Sequence, residues 1–242
     1  MKQPYVEILG LLLCAIPGTA FAQDMPVQSN SDVTHSLNAM DKTYTEGHPD
    51  IINEFAGMHR YAAGDYASAM QSFLIAASYA DKPSQLSIGL MYLNGQGVQK
   101  DPATAWAWIS IAAERDYPQF VSTRDDLWRQ LSSGQRQQAK ATAQQLYAQY
   151  GDQVAQPRML QALQQSVANG SDATNASSDA GQKYCAQTHA KECADLYAKW
   201  YWDPKGYFAG RDSAWKTFTV PHELQNADRN AATGADVTAR QP

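Results

Sequence analysis

Two stretches of the chain carry the same pattern 36 positions apart. Ala69 matches Ala105, Phe73 matches Ile109, and Ala76-Ala77 matches Ala112-Ala113. A period between 20 and 50 residues is the mark of stacked supersecondary units. A lone helical hairpin cannot bury its own apolar face, so neighbouring hairpins stack and bury it for each other. The region from Ile51 to Pro118 is therefore expected to hold two consecutive helical hairpins, with both matched stretches as their second helices.

The second hairpin is the more regular. Ser84 to Leu93 reads as its first helix, Asn94 to Asp101 as its loop, and Pro102 to Arg115 as its second helix. Asp101 before Pro102 is a helix start. The carboxylate accepts orphan N–H bonds, and the proline lacks an N–H where none is needed. Gly95 and Gly97 suit a turn with positive φ. Gly89 and the pair Ala112-Ala113 have little side chain, which lets helices approach closely.

Gly89, Tyr92, Gly95, Gly97, Val98, Asp101, Ala105, Trp108, Ala112 and Ala113 together resemble the Sel-one-like repeat, a relative of the tetratricopeptide repeat. Ser84 stands where that family prefers Ala. The first hairpin, with Tyr61, Gly64-Asp65-Tyr66, Ala69, Phe73 and Ala76-Ala77, is more similar to an ordinary tetratricopeptide hairpin. The resemblance covers roughly a third of the chain. It implies an all-α solenoid that binds protein partners along a concave face, often in envelope assembly or signalling. Some members of the family serve polysaccharide secretion. Cysteine-rich members have been linked to β-lactam binding, but those carry a disulfide in each repeat, and Ile51 to Pro118 has no cysteine.

The flanks are read from their residues. Met1 to Ala22 has Lys2, a short apolar run from Ile8 to Ile16, and Ala20-Phe-Ala22 before Gln23, the pattern of a cleaved secretory signal. Leu13 stands before Cys14 where a lipoprotein signal needs a small residue. Residues 23–47 are polar and read as a flexible leader. Residues 48–155 are assigned to the repeats plus a capping helix pair, Gln119 to Leu131 and Ser133 to Tyr150, with Ser132 and Gln135 as a capping box. Residues 156–182 read as a helix and a linker, 183–224 as a separate helical segment rich in aromatics, and 225–242 as a disordered tail. The net charge of −5 and the absence of a basic stripe argue against nucleic-acid binding.

Cys185 and Cys193 are the cysteines left after the signal, and an oxidising compartment makes a disulfide the first expectation. Eight residues along one helix separate Cα atoms by about 12 Å, beyond the roughly 7 Å a disulfide allows. A bridge therefore requires the helix to begin after Cys185, with Thr188 as its cap. The rival is a metal site from Cys185, His189 and Cys193, whose spacing along one straight helix spreads them too far apart to share an ion. His35, His48, His59 and His222 show no metal spacing. Ser213-Ala-Trp-Lys216 matches the Ser-x-x-Lys of penicillin-recognising enzymes without their partner motifs. Trp106, Trp108 and Tyr92 are expected in the core. Trp200, Tyr201 and Trp202 are expected either to dock their segment or to stack on a ligand such as a sugar ring. No cofactor is implied. These readings point to a non-enzymatic envelope scaffold with an unknown envelope protein as partner. The alternative is a binder of peptidoglycan or exopolysaccharide through the C-terminal aromatics, with membrane contact only through the cleaved signal, and the third reading is a β-lactam-recognising hydrolase.

Overall fold

A computed structural model describes residues 47–169 and 199–216. The described chain is all helical. In order it forms α1 (Pro49–Ala62), α2 (Tyr66–Ser78), α3 (Lys82–Asn94), α4 (Pro102–Ala112), a 3₁₀ turn (Ala113–Arg115), α5 (Pro118–Gln130), α6 (Ser133–Tyr150), α7 (Asp152–Ala168), α8 (Lys199–Trp202) and α9 (Tyr207–Lys216).

The helix starts are set by short polar side chains. Asp65 accepts from the Ser68 amide at 3.2 Å, Asp81 from Ser84 at 2.9 Å, and Asp101 from Ala103 and Thr104 at 3.0 and 3.2 Å. Ser132 and Gln135 close the expected capping box. Each bond satisfies a donor that the helix itself leaves open. Gly95 ends α3 in the left-handed region, at φ +73°.

The two hairpins stack as α1 on α2, α2 on α3 and α3 on α4. All the matched positions are buried: Ala69, Phe73, Ala76 and Ala77 in α2, and Ala105, Ile109, Ala112 and Ala113 around the end of α4. The repeat reaches further than the helices. Ala80 and Asp116, again 36 positions apart, both take positive φ, at +65° and +58°, in the turns that follow. The first helices obey a different offset. A Cβ on Gly57 would meet the Phe73 ring at 2.5 Å, and one on Gly89 would meet Ile109 at 2.5 Å. Phe73 and Ile109 are partners in the repeat, so Gly57 and Gly89 are too. They lie only 32 positions apart because the Gly-x-Gly loop makes the second hairpin longer.

That loop also joins the units. Gly97 lies against Tyr66, where an added Cβ would come within 2.8 Å of the Tyr66 Cβ. Tyr61 donates to Gln96 Oε1 at 2.9 Å. Gly89→Leu should drive its side chain into Ile109 and the Ala105 carbonyl. Overpacking of this kind costs about 1–3 kcal/mol, so thermal unfolding monitored by circular dichroism should begin several degrees lower. Wild-type melting would mean that the α3–α4 contact is looser than described.

Beyond α4 the stack changes. α6 lies against α4 more than against α5, with the Trp108 and Tyr150 rings 4.7 Å apart and the Tyr147 hydroxyl donating to the Ser110 carbonyl at 2.9 Å. Phe120, Leu127 and Leu131 of the α5 stretch are buried, while α6 keeps a polar outer face. This is the terminal unit that a stack needs. α7 begins at Asp152 and continues through Pro157, so the boundary placed at residue 155 falls inside a helix. Met159 and Leu163 of α7 belong to the same core as the first hairpin.

Candidate functional site

The inter-hairpin turns end on one edge of the stack. The start of α1, the α2–α3 turn, the 3₁₀ turn before α5 and the start of α7 all supply side chains there. α8 and α9 lie on this edge. A break at Asp203-Pro204-Lys205-Gly206 separates these two short helices, as the Pro-Gly content predicts. Their aromatics do not form a unit of their own. Tyr201, Trp202 and Tyr207 complete the core of the first hairpin, and Trp215 completes the core around α4 and α5. The separate segment expected at 183–224 is therefore, over its described part, an integral layer of the solenoid.

The N-terminal end of the edge is an aromatic cage around His48. The imidazole is fully buried, stacks on Tyr201 at 3.9 Å, meets Trp202 edge-on at 4.7 Å and lies 5.2 Å from Tyr207. Both of its ring nitrogens lack a hydrogen-bond partner among the described residues. Burial, with Arg211 adding to it, pushes the imidazole pKa down to about 3, so the ring is neutral at any ordinary pH.

Beside the cage, three carboxylates surround one guanidinium. Arg211 donates to Glu54 at 3.1 Å and to Asp81 at 2.5 Å, while the Tyr207 hydroxyl donates to Asp50. Asp50, Glu54 and Asp81 are all buried. Asp50 and Glu54 sit one turn apart on α1, on the same face as Ile51, Phe55 and Met58. One cation does not neutralise three buried anions, and the excess appears as retained protons. Burial raises Glu54 to about 8, with the Asp81 charge adding and Arg211 opposing. Burial raises Asp50 to about 6, against the pull of Arg211.

A second cluster continues along the edge. Arg115 forks onto Asp152 at 2.7 and 2.8 Å, reaches Asp212 at 3.2 Å, donates to the Ala80 carbonyl at 3.1 Å and lies 4.6 Å over the Phe208 ring. Tyr117 donates to Asp212 at 2.6 Å. The Lys82 ammonium is fully buried between Glu114 at 2.7 Å and Asp152 at 2.9 Å. At the far end Trp215 packs on Phe120 at 5.5 Å and Tyr117 at 6.3 Å.

Of the residues singled out in the sequence, Gly89, Ala105, Trp108, Ala112 and Ala113 are buried between helices. Tyr92 and Trp106 are half-buried, and Gly95, Gly97 and Asp101 shape the loop and cap. Tyr201 and Trp202 are buried, with 1% and 6% of their surface exposed, and Trp200 is half-buried. They dock their segment, and the faces turned to His48 are not open to a sugar. Ser213 and Lys216 are exposed on α9. Cys185, Cys193 and His189 lie outside the described residues. Among the described residues no group of His, Cys, Asp and Glu is placed to hold a metal ion, and no helix is long and apolar enough to cross a membrane.

Sequence reasoning missed Asp50, Glu54, Asp81, Arg115 and Arg211. The signal was present as charge within apolar stripes. Asp50 and Glu54 interrupt the buried face of α1, and Arg211 stands one turn from both Tyr207 and Trp215. The edge carries charge-assisted hydrogen bonds that hold a helix in a fixed register. No family model, curated protein or solved structure matches the chain.

Proposed function

We propose that the protein is a secreted or periplasmic scaffold that holds a protein partner in the bacterial envelope. One observation carries the reading: the edge of the helical stack grips a helix through specific side chains, which is how repeat proteins hold segments. The Sel-one-like motif residues, and the signal expected over Met1–Ala22, support the family and the compartment. The proposal includes no reaction. A disulfide between Cys185 and Cys193 remains part of it, and intact mass with and without reductant would decide that point.

Ile52 on α1 and Ile75 on α2 are large apolar side chains each 47% exposed. A photo-crosslinking residue at either position, introduced into the full chain in its native envelope, should give a discrete protein adduct. No adduct at either position, combined with co-sedimentation of the protein with cell-wall sacculi, would replace the protein partner with a polymer.

A further inference from the structure

Positions one repeat apart touch the same helix. Asp81 follows Ala80 in the first inter-hairpin turn, and Tyr117 follows Asp116 in the second. Asp81 binds Arg211, and Tyr117 binds the next residue, Asp212. The stack therefore presents a ladder of equivalent points, and α9 lies along it. Tyr207, Arg211 and Trp215 fall at i, i+4 and i+8, so one stripe of α9 makes the contacts. Each member has its own slot: Tyr207 on Asp50, Arg211 among the three carboxylates, and Trp215 against Tyr117 and Phe120.

The edge without α9 would be an acidic notch between two aromatic slots. Asp50, Glu54 and Asp81 face it from α1 and the α2–α3 turn. Arg115 and Tyr117 stand beside it, ready for an acid. Charge complementarity thus specifies the occupant: a cation at the centre, an acid next to it, and an aromatic one turn away on each side. The chain carries that occupant itself, joined to α7 through residues 170–198.

We propose that this edge is a recognition site for a helix of the form aromatic, three residues, Arg-Asp, two residues, aromatic. Residues 199–216 are its resident occupant, and a partner protein's helix of the same chemistry enters by displacing them. The inference rests on the scaffold reading and names where the partner is held. The centre of the site selects for Arg, because one nitrogen, Nη2, serves both Glu54 and Asp81 and a guanidinium keeps its charge where burial strips the proton from an ammonium.

The test uses the full chain with a protease site inserted between Asn175 and Ala176, cut after folding. A labelled synthetic peptide of residues 199–216 is then added in excess. The expected result is exchange: the label migrates with the solenoid and the cut fragment leaves. The same peptide carrying Arg211→Glu should bind about tenfold or more weakly, since it puts a fourth acid in the notch. A fragment that stays in place under excess peptide, or a solenoid that unfolds as the fragment leaves, would show α9 to be fixed structure and overturn the proposal. Concentration-dependent dimers of the uncut chain would assign the site to exchange between copies and overturn the partner assignment. Crosslinking at Ile52 or Ile75 reports on the scaffold reading separately and can succeed when exchange fails.

Discussion

Replacing Arg211 with Met should destabilise the protein severely at pH 7.5 and much less at pH 5. The substitution keeps most of the side-chain volume and removes the one cation that Glu54 and Asp81 share. Removing a single partner from a buried ion pair costs about 3–5 kcal/mol, because the remaining charge has neither water nor counter-ion. Here Asp50, Glu54 and Asp81 would all be left without that cation. Carboxylates have one escape, which is to bind protons. Each unit by which the pKa is raised costs about 1.4 kcal/mol at a pH above it and nothing well below it. The damage should therefore shrink as the solution becomes acidic. Arg211→Lys should fall between the two, since its ammonium restores a charge but is more strongly hydrated and gives up its proton more readily when buried. Urea unfolding of the three chains at pH 7.5 and 5 makes the comparison. Equal midpoints for Arg211→Met and wild type at pH 7.5 would remove the acidic notch as a stabilising or recognising element.

The parts of this fold that were legible in the sequence are those set by short-range chemistry. Asp101-Pro102 and Ser132 with Gln135 announce helix starts because a cap needs only its own next turn. The 36-residue offset announces the stack because each unit repeats the same packing. Gly89 was legible for the same reason, since a close approach demands a missing side chain. What the sequence leaves open has a cause as well. The helix expected within residues 156–182 begins earlier, at Asp152, because Pro157 points to a first turn, where proline is usual, and instead lies further in, where it is unusual. The density of Tyr and Trp between Lys183 and Leu224 leaves open whether the segment docks on its neighbour or meets a ligand, and Tyr201 and Trp202 are found docked. Aromatic residues state that something is buried without stating against what. Tyr207 meets an aspartate 157 positions away, and Arg211 meets Asp81 at 130. A single sequence holds no record of such pairings. What it does hold is an anomaly: carboxylates at 50 and 54 inside an apolar stripe, and an arginine inside an aromatic one. Two opposite anomalies in one chain are a reason to pair them.

The unmodified protein should lose stability as the pH rises from 6.5 to 8.5, and Glu54→Gln should abolish most of that loss. The sign follows from where the protons are. Glu54 titrates near 4.5 when exposed and near 8 in the folded protein, where burial and the Asp81 charge hold its proton. Across this window the folded state binds a proton that the unfolded state has already released. Folding is thus favoured by acid, and the advantage is fully present below 4.5 and lost as the pH climbs through 8. From 6.5 to 8.5 the loss amounts to roughly 2 kcal/mol. Asp50, held near 6, acts in the same direction but has largely ionised by the start of the window. His48 acts in the opposite direction. Its neutral buried ring contributes stability above 6.5 that is lost as the pH falls toward 3, so it adds little slope between 6.5 and 8.5. Arg211 and Asp81 also face Glu54, and the guanidinium, held despite burial well above its ordinary range by the acids around it, stays charged throughout. The amide of Glu54→Gln keeps an oxygen to accept from Arg211 and has no proton to lose, so its stability should be nearly level across the window and should exceed wild type at pH 8.5. Denaturation midpoints at half-unit steps would resolve the two curves. A wild-type profile that is flat or rises with pH would mean that Glu54 is solvated, and the dry acidic notch around Arg211 would have to be abandoned.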